Sequence, residues 1–244
     1  VVIFLLSGLG LKTEELAAAL HAWPAAAYGV VAILFLTPLL ALVPNHFTFL
    51  PPEFRLGFLL FCTLPTTINS GVALVNAAGG NVALALLLTV ASNSLGVLTV
   101  PLYLSLLLQV SDVEINAGPL LLKLSLMIML PLAIGKVARE RSPCALALYK
   151  AHKQPLGHVS SALLCLIPWM KLSQSSAALR SLDAGQVVAL LAVGFLIHLV
   201  FLAFNYGVTH YVLGMELSLK KAVVFMGSQK TLPMAMTVLS LLPS

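Results

Sequence analysis

The sequence contains 244 residues, of which 60% are hydrophobic and 9% are charged, with a formal net charge of +5. Soluble domains carry about 25% charged residues, so the composition excludes an ordinary water-soluble enzyme. It also excludes a disordered chain, which requires low hydrophobicity and high charge. The mean hydropathy of +1.04, together with apolar stretches that reach the roughly 20 residues of a spanning helix, predicts an all-α polytopic membrane protein.

The apolar stretches follow one another along the chain, with turn-forming residues between them. A short stretch at 1–11 is followed by seven predicted spans, at 22–43, 54–78, 81–109, 117–138, 155–171, 186–213 and 219–242. The Lys and Arg residues of alternate loops number eight on one side and four on the other. The positive-inside rule places the first side in the cytoplasm or stroma. We therefore expect the lipid bilayer, and not nucleic acid, to be the partner of the basic residues.

Two of these spans contain residues that interrupt a helix near its middle. The span 54–78 contains Pro65, and the span 219–242 contains Gly227 and Pro233. Proline removes a backbone donor and clashes with the preceding turn. The pattern therefore predicts two discontinuous helices.

The two interruptions recur at a fixed spacing. Thr66 and Gln229 lie 163 residues apart, and the spans that precede them begin at the same separation. An odd number of spans separates them, so we expect the two halves to be inverted in the membrane. Paired broken helices in inverted halves indicate the binding site of a secondary transporter. The predicted repeats are 1–109, truncated at its N-terminus, and 117–244, truncated at its C-terminus, with about seven or eight of ten spans present.

Polar side chains collect at both breaks and on the helix after the first break. We interpret them as ligands of a substrate or coupling ion; the alternative is that they satisfy the unwound backbone or join helices by hydrogen bonds. The candidates near the first break are Thr66, Thr67, Asn69, Ser70, Thr89, Ser92 and Asn93. The candidates at the second break are Ser228, Gln229, Lys230 and Thr231.

Lys230 lies deep in an apolar span, and an ionisable residue at that depth faces a cavity or a partner. We expect a tethered cation that takes the place of sodium or contacts an anionic substrate, with proton coupling as a consequence. Extension of the lysine stem toward the membrane surface is the alternative. No Ser/His, paired Asp or metal-ligand constellation lies within the spans, so we expect no enzymatic activity and no cofactor beyond the coupling ion.

Four segments resemble the bile acid:sodium symporter family, and within it the plant and algal plastid sodium/metabolite cotransporters. They are SGLGLKTEEL (7–16), LPTTINSGVALVNAAGGNVALALLLTVASNSLGVLTVPL (64–102), LPLAIGKVAR (130–139) and GSQKTLPMAM (227–236). The resemblance implies ten helices in two inverted five-helix repeats with two crossed discontinuous helices. It also implies a symporter of a small organic anion that works by alternating access.

The resemblance further implies a sodium site at Ser70, Thr89 and Gln229, which match the family's pattern. The sequence departs from that pattern at Phe225, where sodium-coupled members carry Glu, and at Lys230, where they carry Asn. Sodium and the proton are therefore alternative candidates for the coupling ion. A channel-like protein or a non-transporting regulator of ion homeostasis is the alternative function. The resemblance favours the chloroplast envelope, with the plasma membrane as the other location, and leaves the substrate and oligomeric state open.

Overall fold

The computed structural model describes residues 1–42, 52–67, 70–108, 117–174, 176 and 182–239. These residues form helices and short connections, with no β-strand among them. The helices are α1 (Val2–Gly10), α2 (Thr13–Ala19), α3 (Trp23–Val31), α4 (Thr37–Leu39), α5 (Pro52–Thr63), α6 (Ser70–Ala77), α7 (Val82–Leu108), α8 (Ala117–Leu124), α9 (Leu130–Arg141), α10 (Pro143–Ala151), α11 (Lys153–Gln174), α12 (Ala184–Gly207), α13 (Leu217–Ser228) and α14 (Leu232–Leu239). The all-helical class predicted from hydropathy is confirmed.

Three helical segments contain a widened π turn, which leaves a backbone carbonyl outside the regular hydrogen-bond ladder. These turns are Ala32–Leu36 between α3 and α4, Ser125–Met129 between α8 and α9, and Val208–Val212 after α12. The first of them bears directly on the candidate site described below.

Four helical segments in the described part of the chain are long and apolar enough to cross a bilayer. They are Trp23–Leu42, Val82–Leu106, Leu121–Arg141 and Ala184–Val212. The last shows its apolar surface most openly, since Val188, Leu191 and Phe195 are 65%, 67% and 65% exposed. A contiguous apolar surface of this kind marks a membrane or protein contact, which agrees with the predicted membrane spans.

The chain divides into two compact units. Unit 1 comprises Val1–Lys12, Leu104–Ser181 and Leu232–Ser244, and unit 2 comprises Thr13–Tyr103 and Leu182–Thr231. Each unit takes segments from both halves of the chain, so the units are not the two predicted repeats. The inverted repeat and its boundaries therefore stay a prediction.

In unit 2, α13 packs against α3, α6 and α12. Its apolar residues join a buried cluster around the π turn after α3. The largest members of this cluster are Ile33, Leu34, Leu84, Leu88 and Met226. The cluster holds the ends of the two broken helices in one core.

Two stretches that we interpreted as loops contain helices. Helix α2 lies in the predicted loop at 12–21, and α10 lies in the predicted loop at 139–154. The Ser142-Pro143 pair is one of the turn-forming pairs between the predicted spans, but it begins α10: the Ser142 hydroxyl accepts a hydrogen bond from the Ala145 N–H at 3.2 Å. Serine at the N-cap with proline at the first helical position is a favoured helix start, and hydropathy over a full span does not detect such short helices.

In unit 1, α1 packs against α9 at unusually close range. A Cβ atom on Gly8 would overlap the carbonyl oxygen of Leu132, and one on Gly135 would overlap the backbone of α1. The Arg139 guanidinium then reaches the end of α1 and donates to the Leu9 carbonyl at 2.6 Å. Glycine at this contact lets two helix backbones meet, as small residues do in membrane proteins.

We predict that Gly135→Ala destabilises the protein, because the added methyl forces α1 away from α9. Overpacking costs about 1–3 kcal/mol, which corresponds to a fall in Tm of about 2–10 °C for a chain of this size. Gly157→Ala in α11 is the matched control, since a Cβ there meets nothing within 4 Å. Thermal unfolding of the full-length protein in detergent measures both, and equal Tm values for the two variants would contradict the proposed contact.

Candidate substrate and ion site

The two predicted helix breaks are present, and they contact each other within unit 2. Helix α5 ends at Thr63 and α6 begins at Ser70, while α13 ends at Ser228 and the chain runs extended through Gln229. The Thr231 N–H donates to the carbonyl of Pro65 at 3.0 Å. The Thr66 hydroxyl donates in the other direction, to the carbonyl of Met226. Each break therefore supplies a hydrogen-bond partner for the other.

The second break is narrower than the sequence predicted. Gly227 lies inside the last turn of α13, and Pro233 is the second residue of α14. Gly227 serves packing instead, because a Cβ there would lie 2.9 Å from the Asn205 amide nitrogen. Pro65 does lie in a break, as predicted, and its ring packs against Gly96 of α7.

Side chains of α7 take up the carbonyls that the first break sets free. The Asn93 amide donates to the carbonyl of Thr66 at 2.9 Å and to that of Thr89 at 2.8 Å. The Thr89 hydroxyl donates to the Ala85 carbonyl of its own helix at 2.8 Å and lies 3.4 Å from the carbonyl of Thr67. Ser92 is buried but donates to Thr89 within its own helix, so the described contacts do not join its side chain to the break.

The predicted sodium residues come together only in part. The Thr67 and Ser70 hydroxyl oxygens lie 2.9 Å apart, and Thr89 reaches the Thr67 carbonyl beside them. Within the described residues, no hydrogen bond joins the Gln229 side chain to Ser70 or Thr89. Asn69 lies outside the described residues. Ser228 is buried, and its hydroxyl donates to carbonyls of its own helix, α13.

The Lys230 ammonium is ringed by four oxygens from two other segments of unit 2. Its Nζ atom lies 2.8 Å from Thr37 Oγ1, 2.8 Å from the Leu64 carbonyl and 3.1 Å from the Cys62 carbonyl. The Ile33 carbonyl lies at 3.4 Å. Among the described residues, every polar partner of this ammonium is a neutral oxygen. These contacts hold the ammonium within unit 2, which disfavours the alternative of a snorkelling lysine.

Local backbone structure explains why these oxygens are available. The π turn sends the Thr37 N–H to the Ala32 carbonyl, so the Ile33 carbonyl is bypassed and accepts the Thr37 hydroxyl at 2.8 Å. Cys62 lies in the last turn of α5, where carbonyls have no partner in the helix and carry its negative dipole. A cation at this helix end is therefore favoured.

Aromatic rings close one side of the lysine. The Lys230 Nζ atom lies 5.2 Å from the centroid of the Phe201 ring, within the range of a cation–π interaction. Phe61 stacks on Phe201 with centroids 6.1 Å apart. His198 on the same helix donates from Nδ1 to the Ser228 carbonyl at 3.2 Å, so this histidine ties α12 to the end of α13.

Sequence reasoning missed the residues that surround Lys230. Thr37 and Phe201 lie in spans that read as uniformly apolar, and Ile33, Cys62 and Leu64 contribute only backbone oxygens. One signal was present: Thr37 precedes a proline inside an apolar span, and a proline there leaves a carbonyl one turn earlier without a donor.

Among the residues that the structure describes, two buried oxygens beside the breaks find no hydrogen-bond partner. They are Asn93 Oδ1 and Thr231 Oγ1, on side chains that are 3% and 1% exposed. The side-chain amide of Asn93 is held by the carbonyls of Thr66 and Thr89, and the backbone N–H of Thr231 is held by the Pro65 carbonyl. A buried polar atom without a partner is costly, so these oxygens are suited to bind a ligand.

The SBF-like CPA transporter family matches residues 1–244 of this sequence. The chain belongs to this family. Its membership confirms the resemblance found in the motifs and agrees with the prediction of a polytopic membrane protein.

The chain is also similar to individual proteins from plants and animals that are named as cotransporters. A rice protein (Oryza sativa subsp. indica) named "Probable sodium/metabolite cotransporter BASS4, chloroplastic" is 39% identical over 246 residues, which cover 97% of this chain and 58% of the relative. The Arabidopsis thaliana protein of the same name is 37% identical over 243 residues, covering 97% and 56%. "Sodium/bile acid cotransporter 7" of Danio rerio is 33% identical over 175 residues, covering 68% and 49%. The chain thus spans little more than half the length of the plant relatives.

We predict that Thr66→Val destabilises unit 2, because it removes one of the two hydrogen bonds that join the breaks, the bond from the Thr66 hydroxyl to the Met226 carbonyl. Leaving the Met226 carbonyl unpaired costs about 1–3 kcal/mol, or about 2–10 °C in Tm. Thr63→Val is the matched control, since the Thr63 hydroxyl bonds only within its own helix, to the Leu60 carbonyl. Thermal unfolding in detergent compares the two. A Thr66→Val protein as stable as the control would show that the hydrogen bond from Thr66 to Met226 contributes nothing to stability.

Proposed function

We propose that the full-length protein is a secondary transporter that moves a small organic anion across a membrane by alternating access, in symport with sodium. The observation that carries this proposal is the pair of contacting helix breaks with an ammonium group held beside them in unit 2. Broken helices that meet in the membrane form the substrate sites of secondary transporters. The printed names of the plant and fish relatives support the same function.

An anionic substrate is favoured by the charge at the site. Lys230 carries the positive charge, and its described partners are neutral oxygens and a ring face. An organic anion supplies the missing negative charge. Helix α6 begins at the first break, and the positive end of its dipole adds to the attraction. The buried oxygens of Asn93 and Thr231 are suited to the substrate's hydroxyl groups.

Sodium coupling is supported by the hydroxyl cluster on the other side of the first break. Thr67 and Ser70 present two hydroxyl oxygens 2.9 Å apart, and the Thr67 carbonyl lies beside Thr89. Hard cations prefer oxygen ligands of this kind. The cluster contains no described carboxylate, so the sodium affinity that we expect is low.

The chloroplast envelope is the membrane that the plant relatives' names favour, since both are named chloroplastic. The stromal side would then carry the eight basic loop residues, as the positive-inside rule predicts.

Uptake by the full-length protein in proteoliposomes tests the function. Small labelled mono- and dicarboxylates are offered with an inward sodium gradient, with a proton gradient, or with neither. We expect saturable, concentrative uptake of at least one anion, driven by sodium. A linear, ohmic anion current without saturation would contradict a transporter and favour a channel. Uptake driven only by protons would contradict sodium coupling.

We predict that Lys230→Ala lowers the initial uptake rate about 10- to 100-fold, because a hydrogen bond to a charged group contributes about 1.5–3 kcal/mol. Lys150→Ala is the control, since Lys150 is an exposed lysine on α10 in unit 1. Its uptake should equal that of the wild type. Wild-type uptake by Lys230→Ala would remove the lysine from the mechanism.

A further inference from the structure

The surroundings of Lys230 form an oxygen-only shell. We call it the cation cage, and define it as the carbonyls of Ile33, Cys62 and Leu64 and the hydroxyl of Thr37. The Nζ–oxygen distances run from 2.8 to 3.4 Å, which is the hydrogen-bonding range of an ammonium group. Three of the four oxygens are backbone carbonyls, which can only accept.

The fourth oxygen is also restricted to accepting. The Thr37 hydroxyl donates its one proton to the Ile33 carbonyl at 2.8 Å, so toward Lys230 it presents only lone pairs. The cage therefore holds four acceptors and no donor. A primary ammonium has three protons, which match the three shortest contacts, and a neutral side chain with one or two donors would leave acceptors unpaired.

We propose that the cation cage is a monovalent-cation site that the chain fills permanently with its own Lys230 ammonium. The cage suits a primary ammonium because it offers acceptors only, to which the three ammonium protons donate. The cage is argued from the contacts in unit 2 alone. Only its consequence for transport rests on the proposed function.

The cage links three parts of unit 2. Ile33 and Thr37 lie on the span that contains the π turn, Cys62 and Leu64 lie where α5 ends, and Lys230 lies in the second break. A dissociable cation at this position would leave during each transport cycle. A tethered ammonium remains, so it neutralises the anion without contributing to the number of ions driven across the membrane.

Chemical rescue tests the cage directly. Lys230→Ala removes three carbons and the ammonium, and these atoms are the equivalent of propylammonium. Lys230 is partly exposed, and we infer that propylammonium enters the position of the removed stem from the surface of unit 2. Tm is measured for the full-length wild type, Lys230→Ala and Lys150→Ala as propylammonium replaces choline, at constant sodium and ionic strength.

We expect propylammonium to raise the Tm of Lys230→Ala by about 5 °C with saturation, as ligand binding to the folded state does. The wild type and Lys150→Ala should show no such rise. Tetramethylammonium, which has no N–H donor, should not substitute. A response that is absent, or equal in all three proteins, would overturn the cage.

If Lys230→Ala does not fold, a second pair of variants tests the cation cage. Thr37→Ser keeps the hydroxyl and Thr37→Val removes it, both with Lys230 in place. We expect Val to lower Tm by several degrees and Ser to leave it within about 2 °C. A Thr37→Val protein with the Tm of the wild type would overturn the proposal.

The rescue also separates this inference from the proposed function. In proteoliposomes, propylammonium should restore anion uptake to Lys230→Ala at least tenfold. If no anion is transported even by the wild type, the proposed function fails while the thermal assay still decides the cage. If transport is present but neither uptake nor Tm responds to propylammonium, the cage fails and the transporter stands.

Discussion

A lysine ammonium packed between apolar helices must be paired with oxygens, and this constraint accounts for the irregular backbone around Lys230 in unit 2. Regular helices cannot supply such oxygens, because their carbonyls are already paired. The protein obtains them from irregular backbone. A π turn frees the Ile33 carbonyl, and the end of α5 frees those of Cys62 and Leu64. The π turn and the end of α5 therefore lie beside the Lys230 ammonium, whose charge needs their free carbonyls.

The same breaks create further groups that must be satisfied. Asn93 and Thr89 of α7 bind carbonyls of the first break, and the two breaks bind each other through Thr66 and Thr231. Two interpretations offered from the sequence are therefore compatible. The polar side chains do stabilise the unwound backbone, and the oxygens left over on Asn93 and Thr231 are available to the ligand that we propose.

The sequence predicted the features that depend on residue type and spacing alone. Pro65 and the polar residues around Gln229 indicated the two helix breaks. The position of Lys230 within an apolar span indicated a charged group away from the membrane surface. Features that depend on which carbonyl a turn releases could not be predicted, because leucine, isoleucine and cysteine give no sign that their backbone is unpaired. Short helices were also missed, since Pro143 serves equally in a turn and at a helix start. The close contact of Gly8 with α9 depends on tertiary packing that no single segment encodes.

A double-mutant cycle tests whether the cage as a whole, rather than any one neighbour, holds Lys230. The full-length wild type, Lys230→Met, Thr37→Val and the double variant are unfolded in mixed micelles of increasing SDS fraction. Contacting partners in one network show coupling of about 0.5–3 kcal/mol, and the account predicts a stabilising coupling in that range. Effects that add to within about 0.5 kcal/mol would contradict it, because the ammonium and the Thr37 hydroxyl would then act independently.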